Sequence, residues 1–426
     1  MPSSTGLLRA GSSAADQLTV RRHNLSVVLS QLRDHGPRSR ARLAEETGLN
    51  KATVSSLVSD LAERGLVREG GIERATVGRP GQSIQLDGDR VVAVGAEVNV
   101  GYVAVLALDL RGRVVVERRI ALDTAHLPPA RVLGELAGLL GSVVELLAAS
   151  GVRPVGLTVA LPGLVETETG VLRSAPNLRW TDVAVAAHVR ALLDDPPYPV
   201  LVGNEANLAA LAEIDAGGPG RSADLILLTG SVGVGGGIVA GGQLLRGTRG
   251  FAGEVGHLRV RGDGPVCGCG RTGCWEAAVG LDALLTAAAP RDDPVHDPSR
   301  DVEQRLAEIA RRAAAGDARV LAAIDEIDRW LAVGAGILVN VFNPERLVLG
   351  GYFAALQPWI AGSLREELQH HVFAGATGST RIEFSTLGFS GAVRGGAAQA
   401  LDRIFSDPTL VGHTGEHLPV AQEAMT

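Results

Sequence analysis

All three cysteines of this 426-residue chain stand in one stretch, Cys267-Gly268-Cys269-Gly270-Arg271-Thr272-Gly273-Cys274, and His257 lies ten positions before the first of them. Three thiols and an imidazole make four N/S donors, the set that Zn2+ takes in a closed tetrahedral site. The glycines between them let the backbone curl until the sulfurs converge. His257, Cys267, Cys269 and Cys274 are the expected ligands of a structural zinc ion. Four protein ligands leave no open position for a reactive water, and an odd, tightly spaced set is a poor disulfide framework. The alternative is three free buried thiols.

A second group has the residue types that read nucleic acid: Asn50, Lys51, Thr53, Ser55 and Ser56, followed by Arg74 and Arg79. The elements around them set their geometry. Leu25, Val28, Leu29 and Leu32 recur at helical spacing before Gly36-Pro37. Ser39 is placed to cap a second helix that stops at Gly48, and Asn50 to cap a third with Val54, Leu57, Val58 and Leu61 inward. Two short helices across a glycine turn form a helix-turn-helix, whose second helix enters the major groove by its N-terminal residues. Val67 to Glu69 and the run 77–86 then read as a hairpin wing with Arg74 and Arg79 near its tip, within reach of phosphate or a narrow minor groove. A generic three-helix bundle with a solvated face is the competing interpretation.

Composition agrees with a reader of this kind on a larger body. The net charge is −7, yet residues 1–80 hold 12 Lys and Arg against 8 Asp and Glu, leaving 28 against 39 elsewhere. Any polyanion partner is expected at the N-terminal end alone. The length favours two or three domains, and a hydrophobic share of 46% with only 3% aromatic residues predicts cores of Val, Leu, Ile and Ala. No run of about 20 apolar residues escapes interruption by Gly or charge, and the N-terminus lacks a secretory segment, so a cytoplasmic protein without a membrane span is expected.

The body carries further blocks in a fixed order: Leu161-Pro162-Gly163; Ala175-Pro176-Asn177-Leu178-x-Trp180; Gly203-Asn204-Glu205-Ala206-Asn207; Gly230-x-x-Gly233-x-Gly235-Gly236-Gly237; Gly253-Glu254-Val255-Gly256-His257; and the cysteine segment ending in Glu276. Together they resemble the ROK family of repressors, sugar-responsive regulators and sugar kinases, over nearly the whole chain. A helix-turn-helix ahead of them is similar to the regulator branch. The resemblance implies an α/β protein: a winged helix-turn-helix followed by an actin-like (ribonuclease H-like) two-lobed sugar-kinase fold. Apolar runs at 91–98, 103–108, 155–160, 200–202, 225–229 and 347–349, alternating with helical patterns at 130–149 and 328–341, suit that architecture. The expected partition is 1–86 for the winged helix, 87–203 for the first lobe, 204–390 for the second with the zinc site, 391–405 for a helix returning to the first lobe, and 406–426 for a poorly ordered tail.

The resemblance also implies that Asn204, Glu205, Glu254, His257 and Glu276 hydrogen-bond a monosaccharide, with Gly163 and Asn177 lining the same cleft. His257 would use one ring nitrogen for zinc and the other for sugar. A kinase of the family needs a phosphate loop Asp-x-Gly-Gly-Thr; here Glu97-Val98-Asn99-Val100-Gly101 stands instead, with both inner glycines bulky and the threonine lost. The catalytic aspartate is replaced by Glu205, whose extra methylene moves the carboxylate; a misplacement of about 1 Å can cost on the order of a hundredfold. The expected function is a sugar-responsive repressor without kinase activity, a homodimer or dimer of dimers bound to operator DNA. An active sugar kinase carrying a DNA-binding domain is the alternative. The glycine loop 230–237 leaves nucleotide binding open.

Overall fold

The computed structural model describes residues 12–73, 81–217, 224–297, 300–373 and 380–413. Helices Ser12–His35, Arg40–Thr47 and Lys51–Glu63 come first, the opening helix starting well before the expected apolar stripe. Ser39 and Asn50 accept hydrogen bonds from the backbone N–H of Arg42 and Thr53, at 3.4 and 2.8 Å, and Gly48 takes the left-handed conformation between the two helices. The wing strands Val67–Glu73 and Gly81–Leu86 pair antiparallel, and a two-residue strand Arg38–Ser39 adds to the second of them. Arg74 and Arg79 lie outside the described residues.

The first lobe is built on a five-stranded sheet in the order Val200–Asn204, Arg153–Leu161, Val91–Val98, Tyr102–Asp109, Val114–Ala121. The last three strands form an antiparallel meander and the first three run parallel. Val91–Val98 is buried along its whole length because both faces are covered, which makes it a continuous apolar run. Val92, Val94, Ala96 and Val98 pack with Val132, Leu136 and Leu140 of helix Pro129–Ala149. That helix is long and apolar enough to cross a membrane, but its buried stripe is the roof of this core. Val91 and Ala93 share the opposite core with helix Gly391–Ser406. There Gly95 permits the close approach: a Cβ would sit 1.8 Å from the Val393 carbonyl.

The second lobe has a five-stranded sheet in the order Gln243–Leu244, Val234–Ala240, Leu225–Gly230, Arg346–Gly351, Arg381–Phe384, packed in one core with helix Ala318–Phe342 and Trp275. Helix Glu205–Gly217 leads from the end of the first sheet and lies against the returning helix Gly391–Ser406.

The winged helix shares its core with this body. Leu29, Leu57, Leu61 and Ile84 belong to one apolar cluster with Leu106, Val155, Leu401 and Phe405. The end of the chain fastens the joint, which corrects the expectation of a poorly ordered tail for residues 407–413: Pro408 and Val411 are buried. Arg64 donates to the carbonyls of Thr409 and Val411, and Arg153 to those of Arg64 and Gly412. Asp60, on the third helix, accepts from Arg21, Arg64 and His413. Burial pushes its carboxyl up, but these partners overcome that and hold it below its ordinary value. The interaction is therefore held at neutral pH and lost as acidification protonates the group. Asp60→Asn is expected to lower unfolding free energy by on the order of 3 kcal/mol, read by urea denaturation, because two guanidinium groups lose their carboxylate in a nearly buried site.

Candidate functional site

Gly163, Asn177, Asn204, Glu205, Glu254, His257 and Glu276 all line one cavity between the lobes, about 660 Å3 with its open mouth. They come from five separate segments, which the two sheets and the helix joining them bring together. Asn204 ends the strand Val200–Asn204, and its side chain is largely engaged in structure. Its Oδ1 accepts from the N–H groups of Ala206 and Asn207, capping the next helix, and its Nδ2 donates to the Gly163 carbonyl at 3.0 Å. One N–H of that amide is left for a ligand. Glu205 follows in the first turn of the helix, its Oε2 accepting from Asn99 Nδ2 at 3.1 Å.

His257 closes the short turn Val255–His257, with Nε2 at 4.0 Å from Glu254 and Nδ1 at 3.6 Å from Glu276. The cysteine segment lies beside it. Cys267 Sγ is 3.7 Å from His257 Nδ1, Cys269 and Cys274 sulfurs are 3.7 Å apart, and the four donor atoms all fall within 4.8 Å of one another. In a tetrahedral site with Zn–S of about 2.3 Å, ligand atoms are separated by roughly 3.7 Å. The donor set thus fits a metal ion of that size, with Nδ1 toward the sulfurs and Nε2 toward Glu254. Glu276 stands between the two groups: it lines the cavity, and its Oε1 accepts from the Cys267 thiol at 2.8 Å, a proton that a metal ion would displace.

The glycines of 230–237 have a steric purpose at this site. A Cβ on Gly233 would meet Glu276 Oε2 at 2.3 Å, and one on Gly237 would meet the Ala206 carbonyl at 2.5 Å. They seat a strand, Val234–Ala240, against the helix that carries Glu205.

Sequence reasoning missed how Glu97 and Asn99 take part. It treated them as a damaged phosphate loop, whereas Asn99 lines the cavity and its amide bridges Glu97 Oε1 and Glu205 Oε2, each at 3.1 Å. The signal available was two polar residues closing an otherwise apolar run, 91–98. Burial pushes Glu97 up to about 7, against hydrogen bonds from Tyr102 and Asn99, and burial with the charges of Glu97 and Glu254 pushes Glu205 up to about 8. Both folded-state values lie above the ordinary 4.5, so the folded protein binds more protons than the unfolded chain between those limits. Stability is expected to fall as pH rises from about 5 to about 8, and Glu205→Gln to flatten that slope in thermal melts.

On the third helix Lys51, Ser55 and Ser56 are exposed, Thr53 is half-buried, and Asn50 serves as the cap. This polar face is available to a groove, while Val54, Leu57 and Val58 are buried behind it.

A helix-turn-helix fused to a two-lobed body with a polar cleft is the plan of a ligand-controlled DNA-binding regulator, here on the fold of sugar kinases. Residues 94–403 match the ROK family, and the chain belongs to it. Residues 26–76 match the MarR family. The xylose repressor of Caldicellulosiruptor bescii is 30% identical over 90% of this chain and 97% of its own. The crystal structure of a ROK family transcriptional regulator described as a homolog of the E. coli MLC protein has the same fold, with a TM-score of 0.74 at 24% identity over 91% of this chain and 97% of that one. A ROK family glucokinase from Streptomyces griseus, solved with glucose and AMPPNP, superposes with a TM-score of 0.61 at 25% identity, covering 73% of this chain and 99% of that one.

Proposed function

We propose that this protein is a sugar-responsive transcriptional repressor of carbohydrate genes, cytoplasmic and acting as a homodimer or dimer of dimers. The winged helix grips operator DNA through Asn50, Lys51, Thr53, Ser55 and Ser56, assisted by the cationic Arg74 and Arg79. A monosaccharide binds in the cleft among Asn204, Glu205, Glu254, His257 and Glu276, beside Gly163 and Asn177. The observation that carries this reading is the convergence of those seven residues on one cavity in a body whose core is continuous with the DNA reader.

Zinc held by His257, Cys267, Cys269 and Cys274 would be structural: it fixes the ring orientation of His257 so that Nε2 faces the sugar. The carboxylates accept from hydroxyl groups and the amides both accept and donate, which suits a polyol and disfavours an analogue that leaves a buried group unpaired. Closure of the lobes on sugar moves helix Gly391–Ser406, and the segment 407–413 carries that motion to Asp60 and Arg64 at the end of the recognition helix. Sugar alters operator affinity only as far as it prefers one of the two arrangements.

Kinase activity is absent in this reading, since Asn99 and Val100 stand where the phosphate loop needs glycines and Glu205 replaces the catalytic aspartate. Operator-fragment binding measured with and without a panel of aldoses tests the proposal. Identical affinity throughout, with no heat of sugar binding, would overturn it. Phosphorylation of any sugar above background in a coupled ATP assay would restore the kinase alternative.

A further inference from the structure

The edge strand Val114–Ala121 of the first sheet reaches across to the second lobe. Its Arg119 guanidinium stands 3.0 Å from Glu303 and 3.3 Å from Asp301, at the start of helix Val302–Ala314. Leu306, Ile309 and Ala313 of that helix belong to the core of the second lobe. Two residues earlier on the strand, and so on the same face, Glu117 accepts from Ser390, the residue before the returning helix. We propose that Arg119 is a positioning residue for the effector: it clasps the lobes in the arrangement that assembles the sugar cavity, although it lines no part of that cavity. The proposal rests on the sugar-sensing reading and adds to it a residue that acts at a distance from the ligand.

The close fit of the lobes carries the argument. Asn177 comes from the first lobe and Gly233 and Gly268 from the second, yet a Cβ on either glycine would lie 3.2 Å from the Asn177 amide. The lobes are thus shut over the cavity in the same arrangement that joins Arg119 to its two carboxylates. A direct ion pair is made in this arrangement and lost in any that parts the strand from the helix. Sugar affinity rises with the share of molecules held in the arrangement that binds it.

Both sides of the clasp are held in place before they meet. A guanidinium presents its donors in a planar fork, which lets one side chain serve two carboxylates. That of Arg119 lies 5.3 Å from the centroid of the Tyr102 ring, a cation–π distance. Tyr102 is buried and donates to Glu97, and Asn99 links Glu97 to Glu205, so the ring under Arg119 is tied to a residue of the sugar cleft. On the other side Asp301 divides its oxygens. Oδ1 caps the helix by accepting from the Glu303 N–H at 2.8 Å, while Oδ2 faces Arg119. Ion pairs between half-exposed partners are weak one by one, largely because two long side chains must be ordered to make them. Here the ring and the helix cap have already done much of that ordering.

The test is calorimetric titration of the full chain with xylose, glucose and N-acetylglucosamine. Whichever binds is expected to bind roughly 3- to 10-fold more weakly to Arg119→Glu. It should regain its affinity to within about twofold when Glu303→Arg is added, which reverses the pair and leaves the Asp301 cap in place. Because these sugars are uncharged, raising the salt from about 0.05 to 0.5 M should weaken their binding to the unsubstituted protein and not to Arg119→Gln, the variant that also serves should charge reversal prevent folding. An unchanged affinity in a folded Arg119 variant, or a loss that the reversed pair does not regain, overturns the inference and leaves sugar sensing intact. Absence of binding by every sugar strikes the sensing reading itself, and small-angle X-ray scattering of the sugar-free protein then decides the clasp. Arg119→Glu should enlarge the radius of gyration and the reversed pair restore it; equal radii overturn the inference.

Discussion

Replacing Cys269 with serine is expected to prevent the cluster from holding the zinc ion proposed for it, lower unfolding free energy by on the order of 3 kcal/mol, and weaken sugar binding by roughly 10- to 100-fold. Cys269 is the informative ligand because it is half-exposed and stands apart from the cleft. Cys267, by contrast, touches Glu276 directly, so its substitution would disturb a cavity residue at once. Serine keeps the volume but does not supply a thiolate, and three ligands hold zinc far less tightly than four. Without the ion, nothing fixes His257 Nδ1 toward the sulfurs, and the ring is free to turn away from Glu254. The loss of sugar affinity is thus an orientation effect transmitted through one imidazole. Metal analysis of the purified variant, its thermal melt and calorimetry with the effector sugar provide the three readouts. A metal-free protein that still answers sugar at full strength would dissociate the cluster from recognition.

The winged helix was legible in the sequence because its determinants are local. Ser39, Gly48 and Asn50 mark element ends by chemistry that acts within three residues, and the stripes of Leu25 to Leu32 and Val54 to Leu61 give the helical period directly. The cysteine cluster was legible for the same reason. Strands that offer no period were not. Val114–Ala121 is an edge strand with only Val116 buried, and Val234–Ala240 reads as a glycine loop although its glycines exist to fit it beneath a helix. Contacts between distant segments were beyond reach of spacing: Asn99 meets Glu205 across 106 positions, and His413 meets Asp60 across 353. The seven cleft residues were found through family resemblance, since nothing in their own spacing announces that they share a cavity.

The shared core changes how a signal can travel. A reader hung on a flexible linker could respond to the sensor only through altered tethering. Here helix Gly391–Ser406 packs on the first sheet, on helix Glu205–Gly217 that carries a cleft residue, and on the apolar cluster of the winged helix. A shift at Glu205 therefore has a contiguous route of contacts to the third helix through this apolar cluster.

Glu254→Ala is expected to abolish the response to sugar, lowering effector affinity on the order of a hundredfold, while operator binding without sugar stays within about threefold of the unsubstituted protein. Among the cleft carboxylates Glu254 gives the cleanest test. Asn204 caps a helix and anchors Gly163, Glu205 is bonded to Asn99, and Glu276 holds the cysteine segment, so removing any of these alters the fold around the site. Glu254 is half-buried, faces His257 Nε2, and is raised by burial and by the charge of Glu276 against the attraction of His257. A carboxylate in that position can accept from two hydroxyl groups, and charge-assisted hydrogen bonds of this kind contribute about 1.5 to 3 kcal/mol each. Losing the pair, about 3 to 6 kcal/mol, corresponds to roughly two to four orders of magnitude in affinity, and the lower end is the loss expected for a half-buried carboxylate. The recognition helix is far from this change, which separates loss of sensing from loss of DNA binding. Operator titrations at zero and saturating sugar read both quantities. An unchanged sugar response in Glu254→Ala would place the sugar site outside this cleft.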